Sequence, residues 1–298
     1  MKLKTTVSVP ILLFFVFWLL FISNNIDYSV DTKYAFIVIT LVQLFVYIIP
    51  SAIFIKFKPK GYLKSLSPSG FKISDIKTVV SASFLTVTCG CLFSVIAFTL
   101  KIAEKTDSSV LDAQFKNDPL LSIITLVLLP VLLEEFFFRG IITKEYKKYG
   151  GFISIVFSSV CFAMFHFSFE HFTFYFVMGI ILGIISMVTE SLLCSAAVHF
   201  VYNMFAIFGQ RYFFNLINNF SNTEFITIVL VILSLLSLFS FLSSLDYHFF
   251  ELAYSTKLVR DTTSPKNENF FVYLGEVFLS PYFLIPVISF LIVAFQII

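Results

Sequence analysis

The chain has 298 residues, 58% of them hydrophobic and 19% aromatic, against 13% charged. A soluble domain carries about 25% charged residues, so this composition excludes a soluble globular enzyme and a disordered chain. With 20 Lys and Arg against 18 Asp and Glu, the net charge of +2 is too balanced and too dispersed for a phosphate-binding surface, which excludes a nucleic-acid binder. What remains is an all-α fold, a polytopic bundle of transmembrane helices.

Apolar runs close to the ~20 residues of a bilayer crossing follow one another along the chain. They cover residues 7–22, 34–55, 79–100, 120–138, 152–169, 172–188, 192–208, 225–245 and 277–298. These nine predict eight or nine spans, because the fifth to seventh are short and closely spaced. Lys2 and Lys4 ahead of the first run resemble a secretory leader. However, Ser23-Asn24-Asn25 offers no small-x-small cleavage site, so the first helix is expected to stay. The division expected is N-terminal helices over 1–119 with about three spans, a core over 120–208 and C-terminal helices over 209–298.

Orientation follows from Lys and Arg in alternate connections. With the N-terminus inside, the inner segments carry fourteen. These are Lys2 and Lys4, six lysines between 56 and 77, Lys144, Lys147, Lys148, Lys257, Arg260 and Lys266. The outer ones carry five: Lys33, Lys101, Lys105, Lys116 and Arg211. An odd span count places the C-terminus outside. The longest connections, 56–78 and 246–271, are too short for a folded domain, and Pro68-Ser69-Gly70 reads as a turn. There His248, beside Asp246 and Glu251, is expected to be solvated. Chemistry must therefore come from the membrane body. Cys89, Cys91, Cys161 and Cys194 all lie in apolar runs and are expected to be reduced, buried and without a disulfide.

An ionisable group inside a span costs roughly 2.5–3.5 kcal/mol on insertion scales unless paired or watered. Three places carry one. Glu134-Glu135-Phe-Phe-Phe-Arg139 ends the fourth run, Phe162-Ala-Met-Phe-His166 lies in the fifth, and His199-Phe-Val-Tyr-Asn203 in the seventh. Glu135 and Arg139 are i,i+4 and expected to pair. Glu134, about 100° around the helix, is left available. His199 and Asn203 share one face. Gly150-Gly151 reads as a turn. Glu134 lies 16 residues before Gly150 and His166 lies 16 after it, so a helical hairpin would bring them level, about 24 Å from the turn, in the inner half of the membrane. A local zinc motif in His166-Phe-Ser-Phe-Glu170-His171 is disfavoured, because histidines five apart diverge around a helix.

Together, Glu134-Glu135-x-x-x-Arg139, Phe162-x-x-x-His166 and His199-x-x-x-Asn203 resemble the three-motif signature of the CAAX protease and bacteriocin-processing (CPBP, or Abi) intramembrane proteases. The resemblance spans roughly residues 120–208. It implies hydrolysis of a peptide bond, with Glu134 and His166 holding and activating water and His199 and Asn203 stabilising the oxyanion. Glu135, Arg139 and Phe162 would support them. A carboxylate among phenylalanines suits a general base, and two fixed donors suit a tetrahedral intermediate. A mechanism without a cofactor is preferred. The alternative is zinc on Glu134, His166 and His199. The partners implied are membrane lipid and a peptide or membrane-protein substrate. A prokaryotic plasma membrane is expected from the compact chain. The rival reading is a non-proteolytic membrane scaffold or bacteriocin-immunity protein that keeps the polar cluster as structure. A transporter is disfavoured, because no pair of Gly/Pro-broken spans recurs in the two halves.

Overall fold

The computed structural model describes residues 4–25, 32–66, 70–100, 118–219, 223–254 and 270–295. Among the described residues every regular element is helical. We number them α1 (Thr5–Asn24), α2 (Thr32–Lys56), α3 (Ile76–Thr99), α4 (Pro119–Tyr149), α5 (Gly151–Met164), α6 (Phe172–Val188), α7 (Leu192–Met204), α8 (Gln210–Asn219), α9 (Thr223–Tyr254), α10 (Phe270–Phe278) and α11 (Pro281–Ala294). The expected cations Lys2, Lys101, Lys105, Lys116, Lys257, Arg260 and Lys266 lie outside the described residues.

The protein is an integral, multi-pass membrane protein. Each of the nine expected runs falls on a helix or a helix pair, but eight or nine spans are not confirmed. Among the described residues six helices are long and apolar enough to cross, or seven if α10 and α11, bent by 54° at 279–280, form one span. The difference lies in α5 and α6, with 14 and 17 residues. At 1.5 Å per residue they reach only about 21 and 25 Å, short of a hydrocarbon core of about 30 Å. They pack against each other as a largely buried hairpin.

Helix ends follow local chemistry. Asp118 caps α4 by accepting from Leu121 N at 3.2 Å, with Pro119 in the first turn, where a missing N–H is harmless. Gly150, at φ 109°, makes the reversal into α5, a conformation that favours glycine. Packing then follows small and polar side chains. Along α3 and α9, Ser81 Oγ lies 3.2 Å from Ser244 Oγ, and two turns on Thr88 Oγ1 lies 3.1 Å from Ser237 Oγ. In lipid, where apolar contact alone does not distinguish protein from solvent, such bonds help set which helices pair. The outward faces stay apolar, with Leu41, Leu235 and Phe239 well exposed.

The lysine-bearing connection after α2 docks on the end of α4. Glu145 accepts from Lys58 Nζ at 2.6 Å and from Tyr62 OH at 2.7 Å, and Lys144 Nζ donates to Ser65 O at 2.6 Å. Both basic clusters therefore share one side of the bundle. Burial and the Glu145 bond push the Tyr62 hydroxyl pKa well up.

His248 corrects the sequence reading. Helix α9 runs on through Tyr254 rather than ending near Leu245, so His248 is helical and buried, not solvated. Its Nε2 lies 3.1 Å from Thr78 Oγ1 and 3.8 Å from Asp75 Oδ1. Asp75, at the start of α3, is 1% exposed and also accepts from Lys72 N and, at 3.5 Å, from Cys194 Sγ. The helix persists because its inner face has polar partners on α3 to satisfy it. The four cysteines are free thiols, with Cys89 half-buried and the others buried.

Candidate active site

Helix α4 is the axis of the site, and it is wound unevenly. Glu134 and Glu135 end an α-helical stretch, and Phe136–Ile142 continues as a wider π turn. Thr143 Oγ1 reaches back five residues to Phe138 O at 3.0 Å. Such widened turns are frequent at functional sites. The register with α5 pivots on Gly150. The Phe138 and Phe162 rings meet edge to face at 5.4 Å, and Ser158 Oγ donates to Phe138 O at 2.9 Å. One turn further from the pivot stand Glu134 and His166.

The two adjacent carboxylates have different environments. Glu135 is 1% exposed; its Oε1 takes Arg139 Nη1 at 3.1 Å and His199 Nδ1 at 3.0 Å. Arg139 also donates from Nη2 to Gly179 O at 3.3 Å and lies over the Phe162 ring at 4.5 Å. That carbonyl is reachable because α5 and α6 nearly touch: a Cβ on Gly179 would stand 2.9 Å from Ser159. Glu134 points elsewhere. Its Oε2 lies 3.8 Å from His199 Nε2, beyond hydrogen-bond length, and its side chain is 18% exposed.

His166 departs from the sequence reading in one respect. Helix α5 stops at Met164, not near Phe169, and His166 sits in the turn that follows, just before Phe167 at φ 54°. Its Nδ1 lies 2.8 Å from Phe162 O. A carbonyl only accepts, so Nδ1 carries the hydrogen and Nε2 of the neutral ring keeps its lone pair. Tyr175 of α6 lies parallel to the imidazole at 3.6 Å and 20°. Glu170 and His171 fall in the same loop, where His171 Nδ1 is engaged with Ser168 Oγ at 2.8 Å.

His199 and Asn203 both lie in α7. His199 is buried between the two glutamates, and the Phe162 ring stands edge-on to it at 5.6 Å. Asn203 is half-buried one turn along, and another widened turn, Phe205–Gly209, follows it. The structure thus links Glu134, Glu135, Arg139 and His199 directly, and connects His166 to His199 through Phe162. The contact of His199 with Glu135, the role of Gly179 O and the placing of Tyr175 had no signal in the sequence, because all three are contacts between helices.

Zinc would need three protein ligands, with Glu134, His166 and His199 as the set. His199 Nδ1 is held by Glu135 and His166 Nδ1 by a carbonyl, which leaves the Nε2 atom of each ring as the one a metal would take. Among the described residues no group of three or more His, Cys, Asp or Glu gathers closely enough to hold a metal.

A family model described as Type II CAAX prenyl endopeptidase Rce1-like matches residues 116–205. That segment holds α4 to α7 and every residue of the three motifs. Over that segment, about a third of its length, the chain is similar to the CPBP/CAAX proteases. The CPBP match leaves out α1 to α3 and α8 to α11. No curated protein and no solved structure matches the chain.

Proposed function

We propose that this protein is an intramembrane endopeptidase of the CAAX-protease type, acting on a membrane-associated protein or peptide through a water activated by Glu134 and His166. The observation that carries this reading is the asymmetry of the paired glutamates. Glu135 is ion-paired through Oε1 with both Arg139 and His199, whereas Glu134 faces only His199, across 3.8 Å, with no hydrogen bond joining them. A purely structural carboxylate in an apolar setting would be expected to have an ion-pair partner such as Arg139.

Glu134 accepts a proton from the attacking water, and the Nε2 lone pair of His166 orients that water. The scissile carbonyl then becomes a tetrahedral oxyanion. In its charged form His199 donates from Nδ1 to Glu135 and from Nε2 toward that oxyanion, and the Asn203 amide is the second donor. Glu134 returns its proton to the leaving amine. Glu135 and Arg139 fix the His199 ring, and Phe162 separates the two imidazoles. This scheme uses no metal.

The deciding experiment is cleavage of a farnesylated peptide ending in a Cys-aliphatic-aliphatic-X sequence by purified, reconstituted protein. Glu134→Gln keeps shape and removes the base. Loss of cleavage with unchanged folding supports the reading. A biological phenotype kept in full by both Glu134→Gln and His166→Ala points instead to a scaffold or immunity protein.

A further inference from the structure

Among the groups around His166, one belongs to a helix that carries none of the motifs. Tyr175 lies in the first turn of α6, and its ring is parallel to the imidazole at 3.6 Å between centroids and 20° between planes. The Phe162 ring meets the same imidazole at 4.7 Å and 64°. The third restraint is the bond from Nδ1 to Phe162 O.

His166 needs such restraint. It follows the end of α5, with Phe167 in the left-handed region next to it, and its own N–H is held only by a turn bond to Ala163 O at 3.2 Å. The hydrogen bond to Phe162 O fixes one atom of the ring and leaves the plane free to swing about that contact. A parallel ring at van der Waals distance removes that freedom. The loop is shaped to deliver it. Ser168 Oγ accepts from His171 N at 3.2 Å and lies 2.8 Å from its Nδ1, and Tyr175 N bonds His171 O at 3.0 Å. The close approach of α5 and α6 at Ser159 and Gly179, one turn beyond Tyr175, then holds the rings together.

We infer that Tyr175 is a positioning residue: its ring fixes the imidazole plane of His166 so that Nε2 faces the water held by Glu134. The inference rests on the reading of His166 as the water-orienting group. It assigns the effect to the ring face and not to the hydroxyl, so phenylalanine should replace tyrosine and leucine should not.

The test uses full-length protein in detergent or liposomes and the farnesylated peptide above, with wild type, Tyr175→Phe, Tyr175→Leu and His166→Ala. Tyr175→Leu should lose about 10²-fold in kcat, the scale of a misplaced reacting group, with KM little changed, and Tyr175→Phe should cleave like wild type. A second measurement does not depend on turnover. In histidine-labelled protein, the His166 ring signals, identified by their loss in His166→Ala, should be shifted upfield by the stacked ring. They should move downfield in Tyr175→Leu and stay in place in Tyr175→Phe. Wild-type kcat in Tyr175→Leu, an equal loss in Tyr175→Phe, or an unmoved His166 signal in Tyr175→Leu would each overturn the inference. Full activity in His166→Ala would instead overturn the water-orienting role of His166 itself, whatever Tyr175 does.

Discussion

His199 Nδ1 and Glu135 Oε1 lie 3.0 Å apart, and the same carboxylate oxygen takes Arg139 Nη1 at 3.1 Å. One buried atom therefore ties α4 to α7 and sets the tilt of the ring whose other nitrogen faces Glu134. Any change at Glu135 acts on the fold and on the site together.

Glu135→Gln and Arg139→Ala should both be worse for stability than Glu134→Gln. Breaking a buried ion pair from one side costs about 3–5 kcal/mol, and each of these two changes strands a partner that is nearly inaccessible. Thermal melting of detergent-purified variants checks the order. A Glu134→Gln protein that melts lowest would contradict it.

Asn203→Ala should lower kcat by about 10²–10³, the range for one oxyanion donor, while KM changes little, because its bond strengthens only in the transition state. Asn203 is half-buried one turn along α7 from His199, and its side chain makes no hydrogen bond among the described residues, so folding should be spared. A rise in KM at constant kcat would assign Asn203 to substrate binding instead.

Chelators should leave cleavage unchanged, and active protein should carry no stoichiometric zinc, because the histidine and glutamate donors are not gathered as a ligand set. Metal analysis alongside activity decides it. One zinc per chain, lost and regained together with cleavage, would replace the glutamate scheme and leave the peptidase assignment standing.

His248→Ala should destabilise the bundle by about 1–3 kcal/mol, the cost of leaving a buried polar partner unsatisfied, here Thr78 and the facing Asp75. It should leave kcat of the surviving folded protein intact, since the pair joins α3 to α9 and does not touch the glutamates. Equal melting temperatures for wild type and variant would show that the contact contributes nothing.

A cysteine placed at Thr223 should react with an impermeant reagent from outside intact cells, and one at Lys60 should not. This follows from the fourteen inner against five outer cations. Lys58 and Lys144 both meet the α2–α3 connection and the end of α4, so a single labelling result fixes both clusters. The reverse pattern would invert the protein and move its basic face to the outer surface.

The sequence by itself determined the class of fold, the position of the helices, the Gly150 reversal and the pairing of Glu135 with Arg139. These depend on composition, on run length and on the 3.6-residue period, all of which act within one stretch of chain. Tertiary structure decided the rest. Whether α5 and α6 cross the bilayer or form a short buried hairpin depends on what covers them. That α9 persists through His248 depends on Thr78 and Asp75, about 170 residues earlier in the chain. The His199 contact with Glu135 spans 64 residues, and Tyr175 meets His166 only because α6 packs within touching distance of α5. Helix spacing fixes which side chains share a face, but not which face another helix brings against it. That second choice is made by side-chain packing and buried hydrogen bonds between segments far apart in the chain.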